Sequence, residues 1–205
     1  MKISSLVATV AVVFSSATAM AQAPKMESLP IGSTIPAAAP KLKSVTGEMV
    51  SLGDAKTKAG LLVMFSCNTC PYVIKSQERT RQVIKYAQEK GLGMVIINSN
   101  EAQRGDADSY EAMVKYANDH HYNVPYVMDA KSEVANLFGA SRTPEVFLFN
   151  MNGKLIYKGA MEDNPTAPAD SKSVYIMNAI DNMLGGKPVE PEATKSIGCS
   201  IKRAM

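Results

Sequence analysis

The sequence predicts a single domain of mixed α/β architecture, in which helices cover the two faces of a central sheet. Two continuously apolar runs, Leu61–Phe65 and Met94–Ile97, are typical of strands that are buried on both faces. An amphipathic helical pattern follows each of these runs, and this alternation of strands with helices is typical of a layered α/β domain. A hairpin and a last helix complete the predicted order of elements.

The composition of the 205-residue chain excludes several classes of protein. Lys and Arg number 22 against 19 Asp and Glu, a formal charge of +3, and aromatic residues make up only 6%. This balance argues against a nucleic-acid partner. Hydrophobic residues make up 46%, which is enough to bury a core. No apolar run reaches the ~20 residues of a membrane-spanning helix, so we expect no membrane span in the mature chain.

The first 21 residues have the pattern of a secretory signal. Lys2 precedes the apolar run Leu6–Phe14, and small residues lead to Ala19-Met20-Ala21. The alternative is a retained N-terminal anchor, which is disfavoured because the run is shorter than a bilayer requires. We therefore predict cleavage after Ala21 and an exported protein, periplasmic or secreted, in a compartment where cysteines can be oxidised.

The mature chain is predicted to begin with an extended arm and a β-hairpin. Four prolines among small residues predict the arm over residues 22–40, because proline fixes φ and removes a backbone donor. Lys41–Val45 and Glu48–Leu52 form the predicted hairpin. Residues 41–186 are expected to form the domain, and residues 187–205 a C-terminal tail.

Helical patterns separate the remaining strands. The pattern over Pro71–Lys90 predicts one helix that ends at Gly91. Asp108 is expected to cap the next helix, with Glu111 as its capping-box partner. The further predicted elements are a strand at Tyr126–Met128, a helix at Val134–Phe138, a hairpin formed by Val146–Phe149 and Leu155–Tyr157, and a helix at Ser171–Leu184.

The motif that carries chemistry is Cys67-Asn68-Thr69-Cys70-Pro71, directly after the first buried strand. A strand, C-x-x-C and a helix in that order indicate a thiol–disulfide centre. Residues three apart on a helical turn have Cβ atoms ~5–6 Å apart, and a disulfide requires about 3.5–4.5 Å. A slight tightening of the turn is therefore enough to close the bond. We predict that Cys67, nearer the solvent, attacks and that Cys70 resolves the mixed disulfide.

Two other interpretations of the C-x-x-C motif remain open. A structural zinc site needs four ligands, and no second C-x-x-C accompanies this one. An inert disulfide in so tight a loop would stabilise the chain little.

The backbone conformation of the motif also has two interpretations. Pro71 disfavours a helical backbone at Cys70, so the motif is compatible with a turn that precedes the helix as well as with the first helical turn.

Three further positions are candidates for the site. Pro144 stands at the start of a strand, where the residues alone favour an ordinary trans bond. Glu145 is a candidate proton acceptor for Cys70, although a solvated carboxylate at a strand edge is the favoured interpretation. Cys199 leaves an odd thiol in an exported chain. It is a candidate third redox thiol, a partner for another chain, or an inert buried residue.

The combined motifs resemble the thioredoxin fold and, more closely, the bacterial peroxiredoxin-like redoxins (alkyl hydroperoxide reductase/thiol-specific antioxidant). The resemblance spans nearly all of the mature chain and is carried by Ile31-Gly32-Ser33, Gly47, Ser51-Leu52, Cys67-Asn68-x-Cys70-Pro71-Tyr72-Val73, Ile97-Asn98-Ser99-Asn100, Thr143-Pro144 and Ser196–Lys202. It implies a thioredoxin-like three-layer sandwich with an N-terminal β-hairpin and a helical insertion at Asn98–Tyr122. It also implies that Pro144 is cis and faces the Cys67–Cys70 pair, and that Thr143 offers backbone hydrogen bonds to an extended substrate segment.

The chain departs from the peroxidase pattern P-x-x-x-[T/S]-x-x-C. Counted back from Cys67, Met64 stands at the hydroxyl position; counted back from Cys70, Cys67 itself stands there. The leading hypothesis is therefore a thiol–disulfide oxidoreductase that acts on protein disulfides or dithiols, with an upstream thiol reductase or oxidase and no cofactor or metal. The alternatives are a thiol-dependent peroxidase and a protein that binds a soft metal such as copper through Cys67 and Cys70.

Overall fold

The computed structural model describes residues 27–204, so the predicted signal and the first residues of the arm lie outside the described part of the chain. The strands are β1 Leu42–Ser44, β2 Met49–Val50, β3 Leu61–Ser66, β4 Gly93–Asn98, β5 Tyr126–Met128, β6 Arg142–Thr143, β7 Glu145–Phe149, β8 Leu155–Gly159 and β9 Cys199–Ser200. The α-helices are α1 Leu52–Ala55, α2 Pro71–Lys75, α3 Gln77–Glu89, α4 Tyr110–Asp119, α5 Glu133–Phe138 and α6 Tyr175–Leu184.

A seven-stranded mixed sheet forms the centre of the molecule, in the order β2-β1-β5-β4-β3-β7-β8. β3 lies inside the sheet, parallel to β4 and antiparallel to β7. Every residue of β3 and β4 is buried, as their continuous apolar sequences predict. Both predicted hairpins are present, β1 with β2 and β7 with β8.

Helices cover both faces of this sheet, which gives three layers. Successive side chains of a strand point to opposite faces. Accordingly, Leu62 and Met64 of β3 pack among residues of α3, α4 and α6. Val63 and Phe65 pack on the other face among residues of α1 and α5. The predicted three-layer α/β sandwich is confirmed.

The helix predicted over Pro71–Lys90 is divided in two at Ser76. The backbone of Ser76 has φ −91° and ψ 10°, so α2 ends there and α3 begins at the next residue. Val73 of α2 packs against the two cysteines of the C-x-x-C motif, whereas Val83 of α3 packs on the sheet. The division separates a short helix that serves the cysteine loop from a longer one that covers the sheet.

Two predicted helix starts are wrong. The cap of α4 is Ser109, whose hydroxyl accepts a hydrogen bond from the amide of Ala112 at 3.2 Å. Asp108 is fully buried and its carboxylate points into the interior. The last helix begins at Tyr175 rather than at Ser171, because the Ser171 hydroxyl bonds to the carboxylate of Asp163 at 2.7 Å and holds this segment in a loop.

Both terminal segments of the described chain lie against the domain. The arm bonds to the β7–β8 hairpin through the amides of Gly32 and Ile35. The tail returns to the cysteine loop, where β9 pairs with β6. Between residues 27 and 204, no helix is both long enough and apolar enough to cross a bilayer.

Candidate active site

The cysteine loop connects the central strand to a helix. Cys67 directly follows β3, and Cys70 is the N-cap residue of α2 with an extended backbone, φ −66° and ψ 123°. Pro71, the first residue of α2, disfavours a helical backbone at the residue before it. The C-x-x-C motif is therefore a turn that leads into the helix. Ser66, at the end of β3, lies opposite Asn98, the last residue of β4.

Both cysteines of the motif are buried. Cys67 is 1% exposed and Cys70 is 3% exposed, and both are free thiols. The expectation that Cys67 lies nearer the solvent is therefore wrong. The sequence argument placed the first cysteine at the open end of the turn, but Cys67 packs into a cluster with Cys70 and Val73, and the partly buried Cys199 of the tail packs against that cluster.

Thr143 contacts both sulfurs. Its hydroxyl lies 3.5 Å from Sγ of Cys67, and its carbonyl oxygen accepts a hydrogen bond from the Cys70 thiol at 3.2 Å. The Thr143–Pro144 peptide bond is cis, whereas the residues alone favoured a trans bond. Since β7 follows Pro144 and pairs with β3, this bend of the chain lies beside the end of β3, where the cysteine loop begins.

Hydrogen-bond donors surround the sulfur of Cys70. The Cys67 thiol makes the largest contribution, and the Cys199 thiol and the amides of Val73 and Cys199 add to it. These donors stabilise a thiolate and lower the pKa of Cys70 to about 4, although burial opposes them. The Thr143 carbonyl oxygen, an acceptor, acts in the opposite sense by favouring the protonated form.

Cys67 has the opposite environment. Its thiol donates to Cys70, and this hydrogen bond, together with burial and the negative charge of Asp108, raises the pKa of Cys67 well above that of an ordinary thiol. The hydroxyl of Thr143 and the amide of Cys70 oppose this effect. The arrangement therefore favours a thiolate at Cys70, with the proton retained on Cys67.

Asp108 is a site residue that the sequence reasoning missed. Its Oδ1 accepts hydrogen bonds from the amide of Asn68 at 2.8 Å and from Nδ2 of Asn98 at 2.7 Å. Its Oδ2 accepts one from Nδ2 of Asn100 at 2.9 Å. The carboxylate thus holds the backbone of the cysteine loop through Asn68. The polar segment Asn98-Ser99-Asn100, directly after a buried strand, was the available sequence signal for such a cluster.

Further polar groups fix this network. The Tyr126 hydroxyl donates to Oδ1 of Asn68 at 2.8 Å and accepts from Nδ2 of Asn98 at 3.0 Å. Arg104 donates to the carbonyl oxygens of Asp108 at 2.7 Å and of Asn98 at 2.9 Å. Because buried polar groups are costly unless they are paired, such a network specifies a single geometry for the loop above it.

Glu145 is buried rather than solvated, so the favoured sequence interpretation is wrong. Its Oε2 accepts hydrogen bonds from the amides of Ser141 at 2.8 Å and of Arg142 at 3.1 Å. Its Oε1 accepts one from the hydroxyl of Ser196 at 3.0 Å. The carboxylate therefore organises the turn before Thr143. Its role as a proton acceptor for Cys70 stays a prediction.

Cys199 lies opposite Thr143 in the β6–β9 pair. Burial is the first cause that raises the pKa of its thiol, to about 11, and the neighbouring Cys70 is the second. Among residues 27–204, no three His, Cys, Asp or Glu side chains are placed to hold a metal ion.

Comparison with known proteins places the chain in a family. The family model named Redoxin matches residues 30–175. This chain belongs to the redoxin family. Redoxins are redox enzymes, both peroxidases and disulfide oxidoreductases. No curated protein matches the chain.

Solved structures confirm the thioredoxin-like fold. An uncharacterised conserved protein from Geobacillus kaustophilus is 36% identical, with a TM-score of 0.77 over 85% of this chain and 93% of that one. The peroxidoxin BcpB from Mycobacterium tuberculosis is 21% identical, with a TM-score of 0.54 over 68% and 91% of the two chains. A protein from Chlorobium tepidum, described as the thiol:disulfide interchange protein DsbE, is 22% identical, with a TM-score of 0.56 over 78% and 98%. The last two similarities concern the fold alone.

Proposed function

We propose that this redoxin is an exported thiol–disulfide oxidoreductase that acts on protein disulfides through the Cys67/Cys70 couple. The supporting observation is the position of the two sulfurs around Thr143, whose hydroxyl contacts Cys67 and whose carbonyl oxygen contacts Cys70. Two thiols held beside one backbone position can form a disulfide and open it again, which is the chemistry of disulfide transfer. Export rests on the signal pattern of the first 21 residues.

The reaction consists of two thiol–disulfide exchanges. One thiolate of the couple attacks a sulfur of the partner's disulfide, and the other partner sulfur leaves as a thiolate and takes up a proton. The second thiol of the couple then loses its proton and attacks the mixed disulfide. The partner leaves as a dithiol, and the Cys67–Cys70 disulfide remains for an upstream thiol reductase to reduce. With an upstream oxidase, the same steps run in reverse.

The identity of the attacking cysteine, Cys67 or Cys70, is tested separately. The sequence assigns the attack to Cys67, but the donors around Cys70 favour Cys70 as the thiolate. We therefore expect a Cys67→Ser/Cys199→Ser variant to accumulate the mixed disulfide with a protein substrate, because it keeps Cys70 and lacks both of the thiols that could displace the substrate. Accumulation in Cys70→Ser instead would restore the sequence assignment.

Insulin reduction with a dithiol as electron donor tests the proposal. Cys70→Ser and Cys67→Ser/Cys199→Ser are each expected to lose the activity, because neither keeps Cys70 together with a second thiol that can resolve its mixed disulfide. Thr69→Ser is a matched control, because Thr69 is the exposed residue inside the same loop. Activity that persists in both cysteine variants would contradict the proposal. So would peroxide consumption that depends on Cys67, or stoichiometric copper retained without turnover, since these outcomes indicate a peroxidase or a metal-binding protein.

A further inference from the structure

The C-terminal tail occupies the place that a bound peptide strand would take beside Thr143. β9 pairs antiparallel with β6, with Cys199 opposite Thr143 and Ser200 opposite Arg142. A free strand edge is a template on which a peptide can add one more strand through main-chain hydrogen bonds. Because β9 already fills this edge, a substrate strand can pair with Thr143 only after the tail has left.

The tail approaches Thr143 closely because residue 198 is glycine. A Cβ atom at Gly198 would collide with the carbonyl oxygen of Thr143. Arg142 donates to the carbonyl oxygen of Gly198 at 3.3 Å. Beyond the strand, Ile201 is 6% exposed and packs into the core, and its amide donates to the carbonyl oxygen of Ser141 at 3.1 Å. The register of the tail is therefore set on both sides of Cys199.

This register places Cys199 beside Cys70. Opposite residues of an antiparallel pair have Cα atoms about 4.5–5.5 Å apart, and the carbonyl oxygen of Thr143 lies 3.2 Å from Sγ of Cys70. Cys199 packs against the cluster of Cys67, Cys70 and Val73. Its thiol and its amide are among the groups that lower the pKa of Cys70. The sulfur that faces the tail is thus that of Cys70.

We propose that Cys199 is a third redox thiol and that the tail is an internal substrate strand; this inference rests on the function proposed above. In the oxidised chain, the sulfur of Cys199 attacks Cys70 in the Cys67–Cys70 disulfide. The Cys70–Cys199 bond forms as the Cys67–Cys70 bond breaks. Cys67 leaves as a thiolate and takes up the proton that Cys199 loses. The exchange involves no net oxidation or reduction, so it requires no further oxidant.

The exchanged state keeps the tail covalently attached over Thr143. It excludes a substrate strand until Cys67 attacks Cys70 again and reverses the exchange. Because Cys199 belongs to the same chain, its effective concentration at Cys70 is in the mM range, well above that of a dithiol partner present at µM concentration. The tail therefore regulates the access of protein substrates to the couple.

The test uses the full chain with Cys67→Ser, which leaves Cys70 and Cys199 as its two thiols. With oxidised glutathione, Cys70 forms a mixed disulfide and releases one glutathione; Cys199 then displaces the second. Non-reducing peptide mapping is expected to find the Cys70–Cys199 bond in most chains. The matched control Cys70→Ser keeps Cys67 and Cys199 and is expected to lack an internal bond in most chains, because Cys199 faces Cys70. A Cys67→Ser chain that stays glutathionylated, or forms only bonds between chains, overturns the inference.

Non-reducing peptide mapping of the oxidised wild-type chain tests the same inference without depending on the folding of a variant. A Cys70–Cys199 fraction beside the Cys67–Cys70 bond supports the inference, and its absence overturns it. Insulin reduction is measured separately. Activity that depends on Cys70, without the Cys70–Cys199 bond, leaves the proposed function standing and removes the internal substrate. If the Cys70–Cys199 bond forms but insulin is not reduced, the internal substrate stands and the proposed function fails.

The rate of insulin reduction tests the regulatory consequence. With the dithiol donor well below mM concentration, so that re-reduction of the couple limits the rate, Cys199→Ser is expected to speed the reaction roughly tenfold, because the tethered thiol no longer competes with the donor for Cys70. Ser200→Ala changes an exposed side chain of the same strand and is expected to leave the rate unchanged. An unchanged rate in Cys199→Ser overturns the regulatory role of the tail.

Discussion

Two segments contact the cysteine loop, and they shift the pKa values of its two cysteines in opposite directions. On one side, the insertion between β4 and α4 supplies the buried carboxylate of Asp108, whose charge helps raise the pKa of Cys67. On the other side, the tail supplies the thiol and amide of Cys199, which help lower the pKa of Cys70. The two sulfurs of one motif therefore differ because different parts of the chain contact them.

The two segments also differ in how firmly they are attached. The insertion is held by buried side-chain hydrogen bonds, among them those of Asn98 and Asn100 to Asp108. The tail forms the β6–β9 pair and several hydrogen bonds with the domain, such as that of the Lys202 amide to Oδ1 of Asn100 at 2.9 Å. Among residues 187–204, however, only Ile201 is buried. Regions with few buried contacts open at lower free energy than the core does. We therefore expect the tail, with one buried residue, to open at lower free energy than the insertion does.

The largest expected effect concerns the charge on Cys70. The reduced chain is expected to carry a thiolate at neutral pH, detected by its ultraviolet absorbance, and Cys70→Ser is expected to lose it. The folded pKa of about 4 lies below the ~8.5 of an ordinary thiol. Between these values, the unfolded chain binds a proton that the folded chain does not bind. Stability relative to Cys70→Ser should therefore rise with pH over this range and be lost as the pH falls through about 4.

A thiolate that persists in Cys70→Ser at neutral pH would contradict this assignment. It would place the charge on Cys67 and remove the electrostatic difference between the two sides. Thr69→Ser, with an exposed side chain in the same loop, is expected to titrate as the wild type does.

The second prediction concerns the insertion. Asp108→Ala leaves the amide of Asn68 and the side-chain amides of Asn98 and Asn100 without their acceptor. Since an unsatisfied buried polar group costs ~1–3 kcal/mol, the free energy of unfolding is expected to fall by about 3 kcal/mol or more. Urea titration measures this change. Asp106→Ala removes an exposed carboxylate two residues away and serves as the control. An equal loss of unfolding free energy in both variants would show that the buried hydrogen bonds of Asp108 do not stabilise the fold.

The third prediction concerns the tail. Ile201→Ala removes a side chain that is 6% exposed, and truncation of a buried isoleucine costs about 2–5 kcal/mol. The tail should then open more often, so iodoacetamide should alkylate Cys70 about tenfold faster or more. Ile197→Ala is the matched control, because Ile197 is in the same tail but is 41% exposed. Equal alkylation rates in the two variants would mean that the tail does not limit access to the cysteines.

Much of the fold could be predicted because its signals are local. The apolar runs of β3 and β4 predict strands buried on both faces, and the runs Val146–Phe149 and Leu155–Tyr157, close together in the chain, predict the β7–β8 hairpin. Gly139, with φ 58°, ends α5 where the sequence predicts it. Each of these inferences depends on residues that are neighbours in the chain.

The errors at the site have a common origin. Asp108 has the residue type and position of a helix cap, but three amide groups from distant residues bind its carboxylate in the interior. Glu145 has the sequence position of an exposed strand-edge charge, but Ser141, Arg142 and Ser196 surround it. A local pattern identifies a residue as polar; it does not specify which buried donors will face it.

The sequence by itself determined the layered architecture and the position of the C-x-x-C motif between a buried strand and a helix, because strand burial and helix patterning act between neighbouring residues. Only the tertiary structure decided that Cys67 is as buried as Cys70 and that the tail pairs with Thr143. Main-chain pairing between distant strands leaves little trace in the sequence of either strand. The contacts of Cys199 with Cys70 arise only when the folded domain brings β6, β9 and the cysteine loop together.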